Sequence, residues 1–126
     1  MFKRIDHVEI IPRDLQKTID FYVNVLGFEI KRRQKVQVPP LQEVVYLRLG
    51  DTDIELLSVE NPDASSDAQW QVGYRMMALE VDDMNETIEY LKGKGVELTQ
   101  GPMTIGKSTR AEIKDPNGLS IEIRQW

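Results

Sequence analysis

Hydrophobic and polar residues alternate from Arg4 to Ile11, where His7 and Glu9 share one face and apolar residues share the other. This period predicts a half-buried β-strand. Asp14 is placed to cap the helix that follows, and Gly27 is placed to end it. The helix is predicted from apolar residues recurring at three- and four-residue spacing, namely Leu15, Ile19, Tyr22, Val23 and Leu26.

Further strand patterns complete this half and a second half follows it. In the first half they cover Glu29 to Val38, Glu43 to Leu49 and Asp53 to Val59. Segment 60–72 is polar and has no periodicity, so we interpret it as a linker. Beyond the linker the pattern predicts a strand from Tyr74 to Val81, a helix from Asp83 to Leu91, and strands at about 96–99, 107–114 and 119–125.

The two halves repeat one pattern. DLQKTIDFY aligns with DMNETIEYL, so Asp14 and Asp83 lie 69 positions apart, and Glu55 and Glu122 lie 67 apart at the far end. An internal repeat of this kind indicates that both halves share one architecture. We therefore predict an α+β fold of two tandem β-α-β-β-β modules, at 1–59 and 73–126, within a single domain spanning 1–126.

Three segments carry a family resemblance: IDHVEIIPRDLQKTIDFYVNVLGFEI, ALEVDDMNETIEYLKGKGVEL and IKDPNGLSIEI. They resemble the vicinal oxygen chelate superfamily, which includes glyoxalase I, methylmalonyl-CoA epimerase, extradiol dioxygenases and bleomycin-binding proteins. The stretch from Ile54 to Glu60 resembles the epimerase-like branch of this superfamily. The resemblance implies a cupped mixed sheet with helices on its outer face.

The resemblance also implies a metal site on the concave face, formed by one residue from each of four strands. Carried onto this chain, the four positions are His7, Glu55, Met76 and Glu122. The imidazole and the two carboxylates suit Ni²⁺, Co²⁺, Zn²⁺, Mn²⁺ or Fe²⁺. Met76 departs from the family pattern, because a thioether is a weak ligand for these ions.

An alternative without a metal stays open for these carboxylates. Arg110 and Arg124 fall on cavity-facing strand positions, where either could pair with Glu55 or Glu122 in place of a cation. Glu9 is expected to be a salt-bridged residue at the rim. The residues predicted to line the pocket wall are Glu9, Tyr74, Met76, Arg110 and Arg124. Tyr46, Trp70 and Trp126 are further aromatic candidates for the wall, for the core or for a dimer contact.

The resemblance implies a metal-dependent lyase or isomerase that acts on a small carbonyl-containing substrate through an enediolate or enolate. Glu122 or Glu55 would move the proton, and His7 would bind the metal. Glutathione is not expected as cosubstrate, because Ile11 and Val59 stand where glyoxalase I has an arginine and an asparagine. A metal-free antibiotic-binding protein is the alternative. A dioxygenase comes last, because the single histidine cannot complete a two-histidine iron site.

The composition of the chain limits the kinds of metal site and binding partner that it can have. The 126 residues contain no cysteine, which excludes thiolate zinc sites, and the net charge of -5 argues against nucleic acid. No apolar stretch is long enough for a membrane helix or a secretion signal, so we expect a cytoplasmic protein with no membrane partner. The resemblance implies a homodimer in which His7 and Glu55 of one chain meet Met76 and Glu122 of the other around a small-molecule substrate.

Overall fold

The computed structural model describes residues 1–126, which divide into two compact units, Met1–Ser65 and Ser66–Trp126. The boundary between them falls inside the segment 60–72 that the sequence indicates as a linker. None of the helices has the length and apolar character needed to cross a bilayer.

Unit 1 contains a helix and a four-stranded mixed sheet. Its elements are β1 (His7–Ile10), α1 (Leu15–Asp20), a π-helical turn (Phe21–Val25), β2 (Glu29–Val38), β3 (Leu41–Leu49) and β4 (Thr52–Val59). The strand order is β1-β4-β3-β2, with β1 parallel to β4 and the other pairs antiparallel. The left-handed Gly27 (φ 83°) follows the helical segment, as its predicted role at the helix end requires.

Unit 2 repeats this arrangement. Its elements are β5 (Met77–Glu80), α2 (Met84–Gly93), β6 (Gln100–Ile105), β7 (Ser108–Lys114) and β8 (Ser120–Gln125). The strand order is β5-β8-β7-β6, and β5 is again the parallel strand. The predicted α+β class with two β-α-β-β-β modules is therefore confirmed.

Each unit buries one side of its sheet with its own helix. The buried apolar side chains of unit 1 are Ile10, Ile19, Tyr22, Phe28, Val45, Leu47, Ile54 and Leu56. Those of unit 2 are Met84, Leu91, Ala111, Ile113, Ile121 and Ile123. Because side chains alternate along a strand, the residues between these core positions point to the opposite side of each sheet, where the charged groups collect.

Both helices begin with the same cap. The Asp14 carboxylate accepts from the Lys17 backbone N–H at 3.0 Å, and the Asp83 carboxylate accepts from the Glu86 N–H at 2.9 Å. A threonine hydroxyl four residues after each aspartate donates to that aspartate's carbonyl oxygen. The repeated Asp-x-x-x-Thr pattern thus satisfies backbone groups that a helix end would otherwise leave unpaired.

Replacing Asp83 by alanine is expected to lower the free energy of unfolding by about 1 kcal/mol, because the Glu86 N–H loses its acceptor. Urea denaturation would measure the change. Asp82→Ala, one residue before the cap, is the matched control and should change stability by less than about 0.5 kcal/mol. Equal losses in the two variants would contradict the capping role.

One predicted strand is wrong and two are shorter than predicted. Segment 96–99 is not a strand, because the chain is still leaving α2 there and the Val96 N–H donates to Leu91 O at 2.9 Å. The strand of this region is β6, in which a Cβ on Gly101 would meet the Arg110 carbonyl oxygen at 2.7 Å. β1 and β5 cover only part of the ranges predicted for them, and Tyr74 and Met76 lie ahead of β5.

Candidate metal centre

His7, Glu9 and Glu55 form a compact group in unit 1. The parallel register of β1 and β4 pairs Glu9 with Glu55, so that both carboxylates lie on the same side of the sheet as His7. His7 Nε2 is 3.0 Å from Glu55 Oε2 and 3.6 Å from Glu9 Oε1. One ligand atom from each residue lies within 4.8 Å of the others.

A hydrogen bond at the other ring nitrogen, Nδ1, fixes the orientation of the His7 imidazole. His7 Nδ1 lies 2.9 Å from Asp6 Oδ2, and this hydrogen bond is the main reason that the pKa of His7 is raised. Partial burial acts against the rise, and the negative charge of Glu55 adds to it. The ring therefore turns Nε2 toward the two glutamates.

Tyr46 closes the group from β3. It pairs with Glu55 in the antiparallel register, and its ring meets that of His7 edge to face at 5.6 Å between centroids. The pKa of the Tyr46 phenol is raised, first by burial and then by its hydrogen bond with Glu55. Glu55 is only 7% exposed, so His7 and Tyr46 contact a carboxylate that has little access to water.

Asp53 lies beside this group, but its negative charge is already balanced by Arg48 and Lys31. Arg48 donates to it through Nε at 2.7 Å and through Nη2 at 3.1 Å, and Lys31 Nζ lies 3.0 Å away. The hydrogen bonds from Arg48 and then from Lys31 hold the pKa of Asp53 far below its usual range. Of the two acids on this side of β4, only Glu55 is directed at the histidine.

The donor set of the group fits a divalent cation. One imidazole nitrogen and two carboxylate oxygens are ligands that Ni²⁺, Co²⁺, Zn²⁺, Mn²⁺ and Fe²⁺ accept. The carboxylates of Asp6, Glu9 and Glu55 outnumber the imidazole, so the group has an excess of formal negative charge even when His7 is protonated. Metal-binding histidines usually have a carboxylate, carbonyl or water hydrogen-bonded to the ring nitrogen that does not bind the metal. Asp6 occupies this position at His7 Nδ1.

Glu122 has different neighbours, in unit 2. Arg110 Nε donates to it at 2.6 Å and Arg124 Nε donates at 3.2 Å. Burial pushes the pKa of Glu122 upward, but the hydrogen bonds from Arg110 and Arg124 outweigh it and bring the pKa below its usual value. The pairing with arginine that the sequence left open is present, and the role of Glu122 as a metal ligand stays a prediction.

The other predicted pocket residues are more exposed. Tyr74 is 67% exposed, and the Met76 sulfur accepts a hydrogen bond from Arg75 Nη1 at 3.7 Å. Trp70 and Trp126 are both largely exposed, so neither belongs to the core. Glu9, predicted at the rim, has a side chain that is 57% exposed and lies at the outer edge of the His7 group.

The sequence analysis did not identify Asp6 beside His7, or Glu112 and Arg75 in the cluster around Glu122. Asp6 precedes His7 and therefore starts on the opposite side of an ideal strand, but β1 begins at His7, which leaves Asp6 free to turn toward the ring. Glu112 is 4% exposed and lies two residues after Arg110 on β7. The alternation that selected Arg110 and Glu122 would also have found Glu112.

Comparisons with known proteins agree with this fold. Residues 4–123 match the family described as the Glyoxalase/Bleomycin resistance protein/Dioxygenase superfamily. The chain is 31% identical to a lactoylglutathione lyase of Neisseria meningitidis, over 97% of this chain and 90% of that one. It is also 31% identical to human mitochondrial methylmalonyl-CoA epimerase, over 97% and 73% of the respective chains.

A solved structure gives the same result in three dimensions. The glyoxalase family protein from Enterococcus faecalis superposes with a TM-score of 0.83 at 28% identity, covering 98% of each chain. The matches extend through both units, as does the internal repeat. The chain therefore belongs to the glyoxalase/bleomycin resistance protein/dioxygenase superfamily.

Proposed function

We propose that this protein is a metal-dependent lyase or isomerase of the glyoxalase and epimerase type, acting on a small carbonyl-containing substrate. The observation that carries the proposal is the orientation of His7, whose Nε2 faces the carboxylates of Glu55 and Glu9 while Nδ1 is held by Asp6. The superfamily relatives named lactoylglutathione lyase and methylmalonyl-CoA epimerase support the same reaction class.

In this proposal His7 and Glu55 hold a divalent cation, and Asp6 positions the His7 ring. The bound ion would supply polarisation of a substrate carbonyl oxygen. Burial of Glu55 against Tyr46 excludes water from the inner side of the group. This leaves Glu9, the more exposed carboxylate, accessible to a substrate that enters from solvent.

Proton transfer next to the carbonyl is assigned to a carboxylate. Glu55 and Glu122 are the residues predicted from the sequence, and the position of Glu9 adds it as a third candidate base. A general base must come within hydrogen-bond reach of the proton that it removes. The contribution of Glu122 to this chemistry and the homodimer both remain predictions.

Deuterium exchange tests the proposal. Chelator-treated protein would be incubated in D₂O with methylmalonyl-CoA, or with the adduct of methylglyoxal and glutathione, after addition of Ni²⁺, Co²⁺, Zn²⁺ or Mn²⁺. NMR should detect deuterium entering the carbon next to the carbonyl with at least one ion and at the background rate without any. Exchange at the background rate with both substrates and all four ions would contradict the proposed reaction.

Two variants test whether the exchange depends on the group formed by His7, Glu9 and Glu55. Glu55→Gln should reduce the ion-dependent exchange rate by about a hundredfold or more, in the range expected for losing a positioned acid or base or a ligand. Glu29→Gln removes an exposed carboxylate at the start of β2 and should leave the rate unchanged. Equal rates in the two variants would remove Glu55 from the mechanism.

A metal-free binding protein is the second candidate, and the surroundings of Glu122 favour it. Arg110 and Arg124 already balance this carboxylate, so no cation is needed to stabilise its charge. The two candidates differ in their response to metal. A binding protein of this kind would show no exchange and no stabilisation by any of the four ions.

A further inference from the structure

Unit 2 has a charged cluster on the side of its sheet opposite the core. The cluster consists of three arginines and two glutamates: Arg75, Arg110, Arg124, Glu112 and Glu122. Most of it is shielded from water, since the side chains of both glutamates, Arg110 and Arg124 are each less than one fifth exposed. Formally the cluster has one positive charge in excess, in a chain whose net charge is -5.

Two of the arginines form short ion pairs with the glutamates. Arg110 bridges Glu122 at 2.6 Å and Glu112 at 3.0 Å. Arg124 uses Nε on Glu122 and Nη1 on the Ser108 hydroxyl at 2.9 Å. Because these two guanidinium groups balance the two carboxylates, the excess charge belongs to Arg75.

Arg75 is held in place with little ionic compensation. Its Nη2 lies 3.9 Å from Glu112 Oε1, an oxygen that Arg110 already contacts at the shorter distance. Its Nη1 donates to the Met76 sulfur, a weak acceptor, at 3.7 Å. Its side chain is 36% exposed, more than that of Arg110 (13%) or Arg124 (19%), so Arg75 is the arginine of the cluster most accessible to a ligand.

Aromatic surface flanks the cluster. The Arg75 guanidinium lies 4.6 Å from the ring centroid of Trp70, and that of Arg124 lies 4.8 Å from the ring centroid of Trp126. These contacts fix the planes of the guanidinium groups by cation–π attraction. The indoles are 78% and 75% exposed, so each still has surface for an apolar group of a ligand.

We propose that unit 2 contains a binding site for a small carboxylate-bearing molecule, with Arg75 as its anion-binding residue and Trp70 beside it. A guanidinium offers paired N–H donors in the geometry of a carboxylate, and stacking holds this one in advance. A single excess positive charge matches one carboxylate. A phosphate, with its charge of about -1.5 to -2, would be repelled more by Glu112 and Glu122.

This site does not depend on the metal proposed for unit 1. Binding to Arg75 can be measured on metal-free protein. Failure of either proposal would therefore be distinguishable from failure of the other.

Tryptophan fluorescence offers a direct test, because the only two tryptophans of the chain both lie against arginines of this cluster. Trp126→Phe leaves Trp70 as the single reporter. Chelator-treated protein in this background would be titrated with benzoate, acetate or inorganic phosphate at constant ionic strength. We expect a saturable change with a carboxylate, and Arg75→Gln should raise its Kd by about tenfold or more, equivalent to the loss of a charge-assisted pair.

Two further variants separate pairing from general electrostatics. Arg75→Lys keeps the charge but loses the paired donors, and should bind with intermediate affinity. Lys35→Gln removes one positive charge from the exposed strand β2 and should titrate like the parent. The proposal is overturned by an Arg75→Gln curve that matches the parent, by a linear response to every anion, or by tighter binding of phosphate than of either carboxylate.

Discussion

Replacing His7 by alanine is expected to weaken the binding of a divalent cation by at least about a hundredfold. Loss of a residue that only orients a ligand typically costs 10- to 100-fold in metal affinity, and loss of the ligand itself costs no less. In the His7→Ala variant the carboxylates of Glu55 and Glu9 remain, but they lose the nitrogen that both face. Carboxylates without the imidazole would retain weak binding.

Thermal denaturation with added Ni²⁺ or Zn²⁺ would measure this loss. At a free ion concentration of 100 times Kd the parent gains about 2.7 kcal/mol of stability, and a hundredfold weaker Kd reduces that gain to about 0.4 kcal/mol. Asp6→Ala should lie between parent and His7→Ala, since Asp6 contacts only His7 Nδ1 in this group. A His7→Ala protein stabilised as strongly as the parent would remove His7 from the site.

Replacing Arg110 by methionine is expected to lower the free energy of unfolding at pH 7 by about 3–5 kcal/mol. Arg110 is the arginine that contacts both Glu112 and Glu122, and its side chain is 13% exposed. Its removal leaves two poorly solvated carboxylates with reduced compensation. Arg32→Met, on the exposed strand β2, should change stability by less than about 0.5 kcal/mol.

The pH dependence of this effect has a definite sign. In the parent the pKa of Glu122 lies below its usual value of 4.5, so ionised Glu122 adds stability above pH 4.5 that is lost as the pH falls through its folded-state pKa. Without Arg110 only Arg124 opposes the effect of burial on this pKa, and ionisation of Glu122 becomes more costly. The difference between parent and Arg110→Met should therefore shrink as the pH is lowered from 7 toward 4. A difference that stays constant in urea titrations over this range would contradict the account.

Local pattern was sufficient to predict most of the fold. The paired DLQKT and DMNET segments predicted two helices with the same start, and both aspartates do cap a helix. Alternation also predicted that His7 and Glu9 share one side of their strand, because the period of a strand fixes the direction of each side chain. The shared orientation of His7 and Glu9 in unit 1 follows from this alternation. The family resemblance implied that Glu55 lies on the same concave face.

Other features depend on contacts distant in sequence. β6 was missed because Gly101 and Pro102 weaken a strand pattern. Glycine is required at position 101 by its positive φ of 80° and by the Arg110 carbonyl oxygen, which a Cβ there would meet. The sequence could not decide whether Glu122 faces a cation or an arginine. Strand phase gives the direction of a side chain, whereas the choice of partner depends on the conformations of neighbouring long side chains.

The most direct measurement is the metal content of the parent and of a His7→Ala/Glu55→Gln double variant, each equilibrated with Ni²⁺ and freed of unbound ion. We expect about one tightly held ion per parent chain and almost none in the double variant, while circular dichroism shows both to be folded. Equal metal content in the two proteins would contradict the assignment of His7, Glu9 and Glu55 as a metal centre. So would a parent that holds no ion after equilibration with Ni²⁺, Co²⁺, Zn²⁺ or Mn²⁺.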